Sequence, residues 1–186
     1  MDTWGDTSIL GSGNDLTTAR AGGGQFNEGT NGTLDSIVFY IAAGNAKTVR
    51  VCIYEAATND PDGSTLLEDL GTMSTNDFAW NTLNSTTNPT LTDGKWYFLG
   101  LKTNDATTFG RRGVATQDIV TLYTLGNESS DETNPWDDPC SNKTASLANS
   151  VSIYLNYTAA SSGGGELLNM MNQPPGGMST FRGGFQ

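Results

Sequence analysis

"KTVRVCIYEA", residues 47 to 56, is the stretch whose reading decides the fold. Its side chains alternate, with Val49, Val51 and Ile53 on one face and Arg50, Cys52 and Tyr54 on the other. A period of two marks an extended strand, because successive side chains of a strand point to opposite sides. The preceding "SIVFYIA", residues 36 to 42, has the same period with apolar side chains on both faces: Ile37, Phe39 and Ile41 against Val38 and Tyr40. Such a pattern predicts a strand covered on both sides.

Outward from these two, turn chemistry and alternation repeat. "TNDPDGST" (58 to 65) breaks the chain with Asp-Pro and Asp-Gly, and "LLEDLG" resumes it. Further strands are predicted at "FAWNTL", at "KWYFLGLK" after the turn "LTDGK", at "DIVTLYTL", and at "SVSIYLNYT", where Val151, Ile153, Leu155 and Tyr157 share a face. Upstream, the Gly-, Thr- and Asn-rich residues 1 to 33 predict an extended strand near Trp4 and another around Gln25 and Phe26. Turn signals every eight to twelve residues or so, with no helical periodicity before the C-terminal tail, predict one antiparallel β-sandwich over residues 1 to 159 and an extended Gly-rich tail over 160 to 186.

Composition agrees. In 186 residues the charged fraction is only 16%, so the polar surface is built from Ser, Thr, Asn and Gly, which suit turns and solvent faces of strands. The formal charge of -11 repels polyanions and argues against nucleic acid as a partner. No apolar run is long enough to cross a bilayer, so no membrane partner is expected. "MDTWGDTSIL" has neither the basic nor the apolar region of a secretory signal, which predicts a protein made in the cytoplasm. Cys52 and Cys140 form no framework or metal spacing and are read as thiols.

At this point the order of motifs becomes familiar. "GTLDSIVFY" (Gly32 to Tyr40), "CIY" (Cys52 to Tyr54), Leu66-Leu67, "WNTL" (Trp80 to Leu83), "LTDGKWYFLGL" (Leu91 to Leu101) and "SIYLNY" (Ser152 to Tyr157) resemble a jelly-roll-like β-sandwich module of bacteriophage structural proteins and bacterial surface proteins. The resemblance covers roughly residues 3 to 159 and lies mostly in core and turn positions, so it speaks for fold more than for ligand. The tail has no counterpart in it.

The chain has no histidine, which removes Ser-His-Asp and Cys-His nucleophilic sites and the usual general base, and a non-enzymatic protein is expected. No cofactor is expected. Asn59 to Ser64 and Asp131 to Asp138 cluster oxygen ligands and leave structural calcium as an open reading, although neither has EF-hand spacing. The long acidic segment "NESSDETNPWDDPCSNK" (127 to 143) has the length of a functional or mobile loop. Its Trp136, with Asp137 and Asp138, is the candidate sugar-stacking platform, with packing of the ring within its own loop as the favoured reading, while Trp80 and Trp96 are expected in the core.

The tail, "GGGELLNMMNQPPGGMSTFRGGFQ" (163 to 186), begins with a flexible glycine link. Leu167, Leu168, Met170, Met171, Met178, Phe181 and Phe185 make it far more apolar than a disordered end ordinarily is. These side chains suit an arm docked in a groove of a neighbouring subunit. Together with the resemblance, they imply a virion structural protein assembled in the host cytoplasm: a capsid decoration or cement protein, with a fibre or other appendage as the next form. The implied partners are copies of itself, a trimer among the forms such proteins take, and a major capsid protein. The alternative is a carbohydrate-binding or adhesive module of a bacterial surface or secreted protein, binding a glycan at Trp136.

Overall fold

The computed structural model describes residues 1–9, 12–15, 19–43, 48–103, 108–112, 118–119, 121–125, 131–141, 143–147 and 150–161. They form an all-β protein of two antiparallel sheets packed on each other, a β-sandwich. The strands are β1 (Asp2–Gly5), β2 (Ser12–Asp15), β3 (Arg20–Gln25), β4 (Gly32–Ala43), β5 (Thr48–Ala56), β6 (Thr65–Ser74), β7 (Ala79–Asn84), β8 (Thr90–Leu91), β9 (Trp96–Lys102), β10 (Thr108–Arg112), β11 (Thr121–Leu125), β12 (Lys143–Leu147), β13 (Ser150–Val151) and β14 (Ile153–Ala159).

The first sheet runs β1-β14-β4-β10-β13, with β2 on β10 and both β7 and β8 on β4. The second runs β12-β11-β3-β9-β5-β6. Each strand read from alternation is present. The short strands β2, β8, β10 and β12 were not read from the sequence, and "SVSIYLNYT" is divided at Ser152. The expected tail lies outside the described residues.

Alternation places the core where the pattern demanded. Val49, Val51 and Ile53 of β5 and Tyr97, Leu99 and Leu101 of β9 meet Ile37, Phe39 and Ile41 of β4 and Ile153, Leu155 and Tyr157 of β14 between the sheets. One end of this layer is closed by rings from both sheets: Phe26 lies 6.1 Å from Trp4, 6.0 Å from Tyr97 and 5.1 Å from Tyr157, each tilted or edge-on. Tilted and edge-on aromatic pairs contribute about 0.5–1.5 kcal/mol each beyond their burial.

The glycine run in β3 hides a central strand. A Cβ on Gly23 would lie 2.0 Å from the Phe98 ring, and one on Gly24 would lie 1.8 Å from the Asp118 carbonyl oxygen. The strand is bare because its neighbours lie directly against the backbone.

A second tie between the sheets is polar. Glu68 of β6, 5% exposed, accepts hydrogen bonds from the Ser85 hydroxyl, from the Thr86 amide (2.7 Å) and hydroxyl (2.9 Å), and from the Thr87 amide (3.2 Å), all in the turn after β7. Burial works against its ionisation, but these hydrogen bonds outweigh it and hold the carboxyl below the ordinary value of 4.5. The stability it contributes is therefore present above that value and lost as pH falls through the lower folded-state value. Glu68→Gln should destabilise by about 1–3 kcal/mol at pH 7. Urea titrations from pH 7 down through the carboxylate range should show the difference between variant and parent narrowing; a constant difference would contradict this role.

Candidate functional site

The second sheet is apolar on its outer face as well. Ala21, Cys52, Tyr54, Phe98, Tyr123 and Leu125 form a separate cluster there, and Trp136 and Cys140 complete it from above. Residues 131 to 141 thus lie across the sheet as a strap. Arg50 and Lys102 stand directly opposite each other on β5 and β9 beneath it. Two like charges in that register repel, and each is met by its own set of partners.

Arg50 pairs with both oxygens of Asp69 (3.0 and 2.9 Å) and donates to the Glu132 carbonyl oxygen at 3.1 Å. Lys102, fully buried, donates to the Pro135 carbonyl oxygen at 2.9 Å and lies 4.4 Å from the centre of the Trp136 ring. Further along, the Tyr54 hydroxyl donates to the Asp137 carbonyl oxygen (2.7 Å) and the Leu66 amide to Asp138 Oδ1 (3.1 Å). Backbone bonds between Cys140 and the turn at Gly63 and Ser64 close the strap (2.8 and 3.0 Å). Gly100 leaves the space it occupies: a Cβ there would meet Cys52 Sγ at 2.4 Å and the Trp136 ring at 3.1 Å.

This arrangement matches the packing reading of Trp136 and leaves no open sugar platform there. A stacking platform needs an open ring face, and Trp136 is only 4% exposed, edge-on to Tyr54 and against the Lys102 ammonium. Asp137 and Asp138 are exposed, but the first offers its carbonyl and the second its carboxylate to the sheet. The expectation for the strand tryptophans is corrected. Trp80 and Trp96 are half-buried on outer faces, not in the core between the sheets. Cys52 and Cys140 share the outer cluster without a disulfide.

The oxygen-rich segments are occupied locally. Asp60 Oδ1 accepts from the Asp62 amide at 3.0 Å, and Asp131 Oδ1 from the Thr133 amide at 2.9 Å and hydroxyl at 2.7 Å. Those bonds to Thr133, with a smaller contribution from Lys102, hold the Asp131 carboxyl below its ordinary range. Among the described residues no three His, Cys, Asp or Glu side chains converge as a metal set.

Two further features stand out on the described surface. On the outer face of the first sheet, the Trp80 ring lies 5.5 Å from Tyr40 and 5.3 Å from Tyr154, an aromatic row across β7, β4 and β14. Just before it, Phe78 is 72% exposed with a positive φ of 51°. Asn81 fixes that turn by accepting from the Asn76 amide (2.7 Å) and donating to the Asn76 and Ala79 carbonyl oxygens (3.0 Å each). On the second sheet, a depression of about 310 Å³ is lined by Trp96, Gln25, Asn27, Glu28 and Asp118. Its rim is held in place. Gln25 donates to the Gly94 carbonyl oxygen (2.9 Å), Asn27 to Gln25 (3.0 Å), Tyr157 to Glu28 Oε2 (3.1 Å) and the Gly5 amide to Asp118 Oδ2 (3.0 Å). Burial, and then the Glu28 bond, push the Tyr157 phenol up to about 12.

No family model matches the chain, and no curated protein matches it. Leu167, Leu168, Met170, Met171, Met178, Phe181 and Phe185 lie outside the described residues. Sequence reasoning missed Phe78 because a positive φ at a bulky residue has no signature in composition. It missed the depression because the residues lining it come from separate turns.

Trp136→Ala should cost about 3–5 kcal/mol of stability, the range for emptying a buried aromatic site. Chemical denaturation measures it, and a loss below 1 kcal/mol or so would mean the strap is not part of the core.

Proposed function

We propose that this chain is a non-enzymatic virion structural protein, a capsid decoration or cement protein that binds neighbouring subunits through its sandwich and its C-terminal arm. The observation that carries the reading is Phe78. A bulky residue in a left-handed conformation costs about 1–2 kcal/mol, and an exposed aromatic side chain gains nothing from solvent. Strain held in place by a dedicated side chain, here Asn81, points to use by a partner. Trp80 and Tyr154, half-buried beside the buried Tyr40, supply further aromatic surface of the kind enriched at interfaces.

Two sequence features support the same reading. The resemblance to phage structural modules runs through Gly32 to Tyr40 and Leu91 to Leu101, and the tail's Leu, Met and Phe side chains need cover. Its partners are copies of itself and a major shell protein, and its place is the particle.

A carbohydrate-binding or adhesive module is the second reading. The depression beside Trp96 favours it, since an indole edged by amides and carboxylates is a lining a sugar can use.

Density-gradient sedimentation of material from the native source, with mass spectrometry of the fractions, tests the assignment. Peptides of this chain should travel with capsid-sized particles at a fixed ratio to a major shell protein. Their confinement to soluble or envelope fractions would refute it. Phe78→Gly relieves the strained φ, so it should leave stability unchanged or raise it by about 1 kcal/mol while reducing incorporation into particles. Incorporation unchanged in that variant would remove Phe78 from the interface.

A further inference from the structure

We infer that the depression beside Trp96 is the seat of the C-terminal arm, and that Arg182 is the side chain it receives. The inference rests on the docking-arm reading and adds to it a receptor site and an anchor. Among the described residues lining the depression, Glu28 and Asp118 are acidic and none is cationic. Each carboxylate has one oxygen engaged, Glu28 Oε2 by the Tyr157 hydroxyl and Asp118 Oδ2 by the Gly5 amide. An ionised carboxylate can accept at about four lone-pair positions, so acceptor capacity remains at both residues. Trp96, half-buried between its cross-strand neighbours Gln25 and Ala56, supplies an indole.

Carboxylates beside an indole are the partners a guanidinium uses best. Its planar fork takes charge-assisted hydrogen bonds at the edge, while its face stacks on an aromatic ring. A lysine would lose the fork and the stacking. A neutral polyol would leave two negative charges uncompensated. From residue 162 to the end, the chain carries one acidic residue, Glu166, and one basic residue, Arg182. These cancel, so the formal charge of -11 belongs to the rest of the chain, and Arg182 is the one cation that the arm can present to it.

Topology brings the arm to the site. The chain leaves β14 beside the loop that carries Asn27 and Glu28: the Ala160 amide donates to the Asn31 carbonyl oxygen at 2.7 Å, and the Thr30 hydroxyl to the Ala160 carbonyl oxygen at 3.3 Å. The segment from 162 to 181 separates that point from Arg182, a reach of up to about 70 Å when extended. The arm can therefore fill the depression of its own domain or of a neighbouring copy. Phe181 and Phe185 flank Arg182 in the sequence.

Trypsin cuts after arginine only when it can take the side chain into its own pocket, so cleavage after Arg182 reports whether the guanidinium is held. The full-length protein and a synthetic peptide of residues 162 to 186 would be digested in parallel, with the cut quantified by mass spectrometry. Cleavage in the full chain should be at least about tenfold slower than in the peptide, given that one charge-assisted contact corresponds to a factor of that order.

Glu28→Gln combined with Asp118→Asn keeps acceptors for Tyr157 and Gly5 but removes the charges. It should bring the cut to the peptide rate. Raising sodium chloride to 0.5 M or so in the parent protein, which needs no variant to fold, should erode the protection as well. A parent protein cut at the peptide rate would overturn this inference, while the docking-arm reading, whose partners include a shell protein absent from the digest, falls only with the particle test. Protection that survives both the charge-neutral variant and salt would overturn the seat alone, leaving the arm docked elsewhere and the depression to another occupant, a sugar included. Protection that holds at every dilution supports docking within one chain, and protection that fades on dilution supports exchange between copies.

Discussion

Arg50 and Lys102 stand opposite each other on the middle strands of the second sheet, on a face that is otherwise apolar. Left alone, that pair would weaken the sheet and leave a lysine in surroundings that disfavour its charge. The strap resolves both problems. Asp69 and the Glu132 carbonyl take the guanidinium, while the Pro135 carbonyl and the Trp136 ring take the ammonium. The same segment then lays Trp136 and Cys140 over Phe98, Tyr54 and Cys52. Cation placement and apolar burial are satisfied by one stretch of chain, so this sheet is covered on both faces.

That covering has a consequence for what the surface can do. The strap's acidic residues and its tryptophan look like a binding loop in the sequence, yet Trp136 packs on the sheet and Asp138 accepts from the Leu66 amide. Partners are left with other features: the aromatic row on the first sheet, the exposed Phe78, and the depression at Trp96. These lie on both sheets.

Much of the fold was legible in the sequence, because period-two alternation fixes which face of a strand is buried. Val49, Val51 and Ile53, and likewise Ile153, Leu155 and Tyr157, fell on the face the pattern gave them. Of β3, only the end at Gln25 was legible; its course through Gly22 to Gly24 was not, because a glycine run has no side chains to alternate and its reason, close approach of Phe98 and Asp118, is tertiary. The sites were less legible still. Tryptophan carries no sign of whether it faces the core, the strap or solvent. The loop Trp136 is buried, while Trp80 and Trp96 in strands are partly open, because sheet pairing and the strap decide which face of each strand is already covered.

The strap is an integral layer of the domain, and amide hydrogen exchange tests that most directly. The Cys140 amide donates to the Ser64 carbonyl oxygen at 3.0 Å, and the Trp136 amide to Asp69 Oδ2 at 3.3 Å. If the strap belongs to the core, both should exchange only by global unfolding, with the same opening free energy as the amides of β5 and β9. Exchange of both at loop rates, while β5 and β9 stay protected, would show that the segment is a detachable loop and that the second sheet's outer face is a surface open to partners.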